Sequence, residues 1–574
     1  MSNGPERSDV TRPLDELHPN ERLKHESNYL RGTIEESLAD PITGALAESD
    51  TQLTKFHGFY QQDDRDLRNE RRHQKLEPAY QMMIRLRLPG GVCTPDQWLK
   101  LDALSQSHAD GALRLTTRQT FQFHGVLKHN LKGTMQGIND ALLDTLAACG
   151  DDNRTTMATV NPINAGVYPT VQRDAKAVSD HLVPRTPAYR EIWLDGERVD
   201  SDEDPEPIYG PTYLPRKFKI GFAVPPSNDI DVYSQDIGFI AIVDEAGELQ
   251  GYNVAIGGGM GRTDNEPQTF PRLADVIGFC RPHQVVPVSE AILTTQRDYG
   301  DRVDRKHARM KYTVDDYGAE WFRGEVERRM GETLESARDF HFEDNGDRYG
   351  WYQSDDGRWY YTLFIENGRI RDWDDYPLMT ALREIARVND GDFRLTPNQN
   401  LIVANLGDDA AKQVDALLND YGIMDPAHVS ALRRNSMACV AFPTCGMAMA
   451  ESERYLPGLL TKLEGIMSEA GLEDDPIIVR MTGCNNGCAR PYIAEIGFSG
   501  RGPGKYNLYL GGGFHGERLN KPYLYNVGEQ RILDELTPMI HHYATDRNDG
   551  EPFGDFVIRA GYIGETKAGR EFYD

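Results

Sequence analysis

The chain has 574 residues, 39% of them hydrophobic and 9% aromatic, enough for several cores and, by length, about three or four domains. Its formal net charge of -27 excludes non-specific binding to nucleic acid or anionic membranes, which reward a basic surface, and no run of about 18 apolar residues offers a membrane span. The opening MSNGPERSDVTRPLDELHPNE lacks the apolar centre of a signal peptide, so a cytoplasmic protein is expected.

Residues 1–80 read as an arm draped over the rest, with nearly alternating charge signs in QQDDRDLRNERRHQKLEP at 61–78. MMIRLRLPGG then alternates as a strand ending in a Gly-Gly turn, residues 95–107 carry a helical pattern, and ALRLTTRQTFQFHGV reads as a second strand. This first unit is assigned to 81–148, and a larger Gly-rich α+β unit to 149–346. The pattern returns over 347–422: WYYTLFIENGRI is a strand and turn, PLMTALREIARV a helix, and FRLTPNQNLIVANL a strand in which Arg394-Leu395-Thr396 matches Arg114-Leu115-Thr116. In the last unit, 423–574, YNLYLGGGFHG at 506–516 answers YNVAIGGGMG at 252–261. The chain is therefore an α+β protein of two homologous halves, and such a duplication places a ligand between them.

Seven cysteines, an odd number, do not suit a disulfide scaffold. Cys93, Cys149 and Cys280 stand among apolar neighbours and read as small buried hydrophobes. The other four are clustered: SMACVAFPTCGMAM supplies Cys439 and Cys445, and RMTGCNNGCARP supplies Cys484 and Cys488. The spacing leaves open an iron–sulfur cubane, a structural zinc, and unligated thiols, although the C-x5-C arm fits a zinc knuckle poorly.

In the first half the informative residues are basic. Even spacing on a single strand sets Arg114, Thr116, Arg118 and Gln122 on one face, either a cradle for a polycarboxylate or a row of solvated side chains. Arg85 and Arg87 share another face, Arg154 follows Asp151-Asp152, and YLPRKFKIGF presents Arg216, with Lys217 and Lys219 on one side. The lysines precede their Gly-rich element much as the cysteines precede theirs, so a two-fold relation would set lysine loop against cysteine loop across a cofactor. His57, His124 and His307 have no metal-type spacing and read as structural.

The sequence resembles the siroheme sulfite and nitrite reductase family over nearly its whole length, through ERLKHESNYLRGTIEESLAD, GFYQQDDRDLRNERRHQKLEP, RLPGGV, RLTTRQTFQFHG, TYLPRKFK, AFPTC, TGCNNGC and GDFVIRAGYI, and within it the assimilatory NADPH-dependent sulfite-reducing members. The resemblance implies a siroheme coupled to a [4Fe-4S] cluster, with Cys439, Cys445, Cys484 and Cys488 as cluster ligands and Cys488 as the bridge to the siroheme. It implies Arg85, Arg154, Lys217 and Lys219 as the residues that meet the substrate anion; anchoring on RLPGG selects Arg85 over Arg87. Arg114, Thr116, Arg118, Gln122 and Asn486 match siroheme-contacting positions. The fold implied is a three-domain one: two ferredoxin-like halves in one domain, two cofactor-binding α+β units in two others, and the arm outside.

The activity implied is six-electron reduction of sulfite to sulfide, in sulfur assimilation toward cysteine. Nitrite reduction is the alternative; nitrite-specific members resemble LPRKWN, with asparagine where this sequence has Lys219. A non-catalytic zinc scaffold is the reading from another class. GGGMG and GGGFHG lack the full G-x-G-x-x-G pattern and acidic follow-up of a dinucleotide site, so electrons must come from a partner. The resemblance points to an NADPH-oxidising flavoprotein subunit, with ferredoxin as the alternative.

Overall fold

A computed structural model of the chain describes residues 12–160, 166–186, 188, 193–194, 197–198 and 206–574. YQMMIR forms the strand Tyr80–Arg85, and Thr94 starts the helix Pro95–His108. Thr94 Oγ1 accepts from Gln97 N at 3.2 Å while the Gln97 side chain accepts from Thr94 N at 2.9 Å, and Pro95 fills the first turn, where its missing N–H costs nothing. Trp98 on this helix is fully buried, its ring 5.6 Å from Phe121 and 4.7 Å from Phe393 of the other half. One apolar core thus serves both ferredoxin-like halves.

ALRLTTRQTFQFHGV is not one strand, as its alternation predicts, but a hairpin. Leu113–Leu115 and Phe121–Val126 run antiparallel, with Arg114 opposite Gln122. In the turn between them Thr116 Oγ1 accepts from Arg118 N and Thr120 N, and Gln119 takes φ +53. Strand-favouring threonines occupy this turn in place of the usual Gly or Asn, which hides it from periodicity.

Each half builds a five-stranded antiparallel sheet, and each sheet is completed by the other half. Phe59–Asp63, Tyr80–Arg85, Phe121–Val126 and Leu113–Leu115 accept Arg369–Ile370 as a fifth strand. Gly350–Gln353, Trp359–Leu363, Leu401–Leu406 and Asp392–Leu395 accept Val92–Cys93. Exchanged edges leave each half without an open border on that side.

The larger units repeat as well. Met157–Ala158, Ile220–Ala223 and Ile237–Val243 are parallel, followed antiparallel by Leu249–Ile256 and Asp275–Cys280. Ser436–Ala438, Val479–Thr482, Ile496–Gly502, Lys505–Leu510 and Lys521–Val527 follow the same order and directions. After the fourth strand, Gly257 and Gly511 take matching φ of +82 and +89.

The pairing registers fix a residue-by-residue correspondence: Ile220 pairs with Ile237 as Val479 pairs with Ile496, and the intervals are equal, so Asp231 corresponds to Arg490. These two equivalent residues meet. The buried Asp231 carboxylate accepts from Arg490 Nε and, at 2.7 Å, from Arg480 Nη1. A residue that touches its own equivalent lies on the pseudo-two-fold axis. Asp231→Asn would leave two buried guanidiniums without their carboxylate, and a loss of about 3–5 kcal/mol is expected in urea unfolding. A change under about 1 kcal/mol would show that this pair does not hold the halves together. Among the described residues no helix is long and apolar enough to cross a membrane.

Candidate functional site

Ligand sites in sheets of this kind form beyond the carboxyl ends of parallel strands. Cys439 directly follows Ser436–Ala438, and Cys484 follows its neighbour Val479–Thr482. The two loops are tied together: Cys439 N donates to Met481 O at 3.1 Å, Gly483 N to Cys439 Sγ at 3.3 Å, and Met449 N and Ala450 N to Gly483 O at 2.8 and 3.1 Å. A Cβ at Gly483 would lie 2.6 Å from Ala441 Cβ and 2.7 Å from Ala450 O, so only glycine lets the loops close. Gly487, between Cys484 and Cys488, turns the chain at φ +64.

Burial first, and then the neighbouring thiols, push up the Cys439, Cys445 and Cys484 pKa values, Cys484 to about 12. All four sulfurs therefore sense one another. Four thiols brought together by two adjacent loops are the ligand set of an iron–sulfur cubane. The backbone N–H and side chain of Asn486 both hydrogen-bond toward Cys484.

Cys488 is the exposed member of the four, and Thr117 Oγ1 donates to its carbonyl at 3.0 Å. It borders the cations of the first half, near enough to Lys217 and Lys219 that its thiolate favours their charged forms. Against that, burial and then Arg216 and Arg309 lower Lys217 to about 7, and burial, Arg118 and Lys217 hold Lys219 well below the usual lysine range. Both lysines are half-buried, and the protein around them strips away most of the hydration that favours the charged form. Neither has a carboxylate partner among the described residues.

Arg154 is buried, donates to Gly150 O at 2.9 and 2.6 Å, and lies 3.9 Å from Asp152. Arg85 Nη1 is 3.1 Å from Cys149 Sγ, and with the Gln122 amide oxygen turned toward it, Nη2 and Nε donate at 2.6 and 2.9 Å. Arg87 instead leaves the strand and pairs with Asp144 at 2.8 Å and Asp180 at 3.0 Å. Arg118 donates to Gln235 Oε1, Thr155 O and Ile220 O, its Nε has no partner, and burial lowers it to about 9. Arg114 is held by Glu453 at 2.5 Å and donates to Ala438 O at 3.0 Å. Glu453 N in turn donates to Cys439 O, so Arg114 braces the cysteine loop.

The relation drawn from sequence between lysine and cysteine loops is corrected by the strand registers. Met157 pairs with Gly221 as Met437 pairs with Arg480, so Cys439 corresponds to Thr159 and Cys488 to Asp229. Thr159 Oγ1 donates to Asp229 at 2.6 Å, and burial pushes Asp229 up to about 7. The lysines lie at the other end of their strand and reach Cys488 across the axis.

Four participants escaped the sequence. Arg309 pairs with Asp236 at 3.0 Å, and Lys311 is buried with Nζ donating to Gly261 O at 2.6 Å, to Gly259 O at 3.2 Å and to Phe270 O. Burial and Arg309 hold Lys311 well below the usual lysine range. Cys149, read as a plain hydrophobe, touches Arg85, and Tyr60 beside it is pushed up to about 12 by burial and then by Cys149. A lone cysteine and a tyrosine in a charged arm carry no spacing signal; ARMKY offered only its alternation. His57 contacts Leu30 O and His307 lies 3.5 Å from both Asp301 and Asp316, local contacts away from this cluster. His124, 3.3 Å from Gln122, is held well below its usual pKa by burial.

The buried Nε atoms of Arg114, Arg118 and Arg309 have no partner, and the lysines have no counter-charge. A carboxylate-rich macrocycle and a small dianion supply what these groups lack.

Comparison with known proteins agrees. Residues 174–334 match the family described as "Nitrite and sulphite reductase 4Fe-4S domain", the half opposite the four cysteines, and residues 73–141 and 352–421 match "Nitrite/Sulfite reductase ferredoxin-like half domain". The "Sulfite reductase [NADPH] hemoprotein beta-component" of Nitrobacter winogradskyi is 60% identical over 99% of this chain and 99% of its own. That of Staphylococcus saprophyticus is 58% identical over 97% and 98%, and that of Methylocella silvestris 59% identical over 100% and 99%. The solved structure of Mycobacterium tuberculosis NirA protein, 24% identical, has the same fold with a TM-score of 0.76, covering 95% of this chain and 97% of that one. The chain belongs to the nitrite and sulfite reductase family.

Proposed function

We propose that this chain is the catalytic hemoprotein component of an assimilatory, NADPH-dependent sulfite reductase, reducing sulfite to sulfide at a siroheme linked to a [4Fe-4S] cluster. The observation that carries the reading is the meeting of Lys217 and Lys219, free of carboxylates, with Arg154 and with Arg118, which Arg85 neighbours, beside the exposed Cys488. Cys439, Cys445, Cys484 and Cys488 are the residues to hold the cluster, and Arg114, Thr116, Arg118, Gln122, Asn486 and Lys311 those to hold the siroheme. When bound, these groups supply successive one-electron reduction of the anion.

The chain's own residues do the rest. Arg85 and Arg154, fixed by Gln122 and Gly150 O, offer forked donors to the oxygens of the anion. Lys217 and Lys219 offset its charge and stabilise the negative charge that develops as S–O bonds break. With a pKa of about 7, Lys217 Nζ can give up a proton near neutral pH, which no guanidinium can. Lys219 adds a cation that favours the doubly charged sulfite over nitrite. Electrons come from an NADPH-oxidising flavoprotein partner, in the cytoplasm.

The test is sulfide release by the purified, coloured enzyme with reduced methyl viologen as donor. kcat/KM for sulfite is expected to exceed that for nitrite; the reverse order would overturn the substrate assignment.

A further inference from the structure

The loop that carries Cys484 and Cys488 is clamped from the other half. Residues 258–262, at the end of the first Gly-rich segment, lie against it: a Cβ at Gly261 would stand 3.3 Å from Asn486 O, and one at Gly487 3.2 Å from Met260 Cβ. Arg262 closes this contact with two hooks on Asn485, the residue after Cys484. Its backbone N–H donates to Asn485 O and its Nη2 to Asn485 Oδ1, both at 3.0 Å. Ser499 Oγ donates to the same Oδ1 at 2.9 Å, and Tyr492 OH reaches Asn485 O at 3.4 Å. A guanidinium can only donate, so the amide oxygen must face it and Nδ2 is turned away. That Nδ2 is buried and has no hydrogen-bond partner among the described residues.

Arg262 is a buried charge with little to cancel it. It is 8% exposed, and the Tyr492, Tyr509 and Tyr573 ring centres lie 5.6, 5.8 and 5.8 Å from its guanidinium carbon. Tyr509 OH and Tyr573 OH accept from it, and its Nε has no partner among the described residues. Asp264, 3.9 Å away, is engaged by Arg501. Rings and hydroxyls hold a cation in place but do not neutralise it. Tyr492, on which Arg262 lies, is near enough to Cys484 to feel its charge. A cluster bound by four thiolates is an anion that gains a further negative charge on reduction, and fixed positive charge and N–H donors beside it favour that reduced form.

We propose that Arg262 and Asn485 are positioning residues that raise the reduction potential of the cluster. The guanidinium supplies fixed positive charge, and it turns Asn485 so that Nδ2 is left to donate to a cluster sulfur. The proposal rests on the reductase reading above, and its test separates the two. The potential of the cluster is measured by EPR-monitored redox titration of the holoenzyme, alongside iron and acid-labile sulfide per chain.

Arg262→Gln, which keeps an amide donor and loses the charge, is expected to shift the reduction equilibrium by about tenfold or more toward the oxidised cluster, a potential about 59 mV more negative. Asn485→Asp, which replaces Nδ2 by an oxygen and sets a carboxylate against the guanidinium, should shift it in the same direction. Arg262→Lys keeps the charge and should stay within about threefold of wild type. A wild-type potential in Arg262→Gln or in Asn485→Asp would overturn the proposal. So would a fall in Arg262→Lys as large as in Arg262→Gln, which would assign the effect to lost packing. Iron and sulfide at background in both Arg262→Gln and Asn485→Asp would reduce the pair to a structural clamp and overturn it as well. Wild-type holoenzyme that holds zinc, or gives no EPR signal from a reduced cubane, would instead overturn the reductase reading.

Discussion

Lys217→Met is expected to retain the absorption spectrum of the loaded enzyme while sulfide release falls by about 10² or more, the scale of a lost general acid. The lysine is placed for that role by three features acting together. Its Nζ has no carboxylate partner, burial with Arg216 and Arg309 lowers it to about 7, and Cys488 lies close by. A lysine lowered to this value is charged below about pH 7 and neutral above it. Since both anion attraction and proton donation need the charged form, wild-type kcat/KM for sulfite should fall as pH rises through that region. Sulfite itself changes protonation nearby, and Lys217→Arg isolates the lysine: the substrate's ionisation is unchanged, the cation persists at every pH, and the proton donor is gone. That variant should lose the part of the high-pH limb due to Lys217 yet keep a low kcat. Full turnover in Lys217→Met, or an identical limb in Lys217→Arg, would remove Lys217 from the chemistry.

How far this site could be read from sequence depended on whether its residues shared an element. The duplication was legible because each half repeats RLT and the YN-GGG segment in the same order, and the sheets repeat strand for strand. The cysteines were legible because loops after adjacent strands carry them in pairs. The hairpin at Thr116–Thr120 was not, since its turn is built from Thr116 Oγ1 accepting backbone N–H groups and leaves no Gly-Asn signature. Arg309, Lys311 and Tyr60 join the cluster only through tertiary packing.

The division of labour between the halves became visible only with the strand registers. In the second half Asn398 stands where the first has Arg118, and Ile478 where it has Lys219; in the first, Thr159 and Asp229 stand where the second has Cys439 and Cys488. One half lost or never had the cations, the other the thiols. A single site assembled from unlike halves follows, and the Asp231–Arg490 contact fixes how they meet.

Cys488→Ser tests the junction between those halves. Cys439, Cys445 and Cys484 are each half-buried on the cluster side, whereas Cys488 is exposed toward Lys217 and Lys219. It borders those lysines, so the proposed reading gives its sulfur the link between cluster and siroheme. The serine variant is expected to lose turnover to background and to lose spectroscopic coupling between the two centres. Iron and acid-labile sulfide per chain distinguish a cluster that is present but uncoupled from one that is absent. Cys445→Ser, at a residue whose carbonyl accepts from Arg65 of the arm, should lower cluster content instead. Siroheme retained with intact coupling in Cys488→Ser would place the bridge on another residue. The lysines supply a second reading of the same variant: with no thiolate beside them, their charged forms lose support, and the high-pH limb of anion binding should move to lower pH.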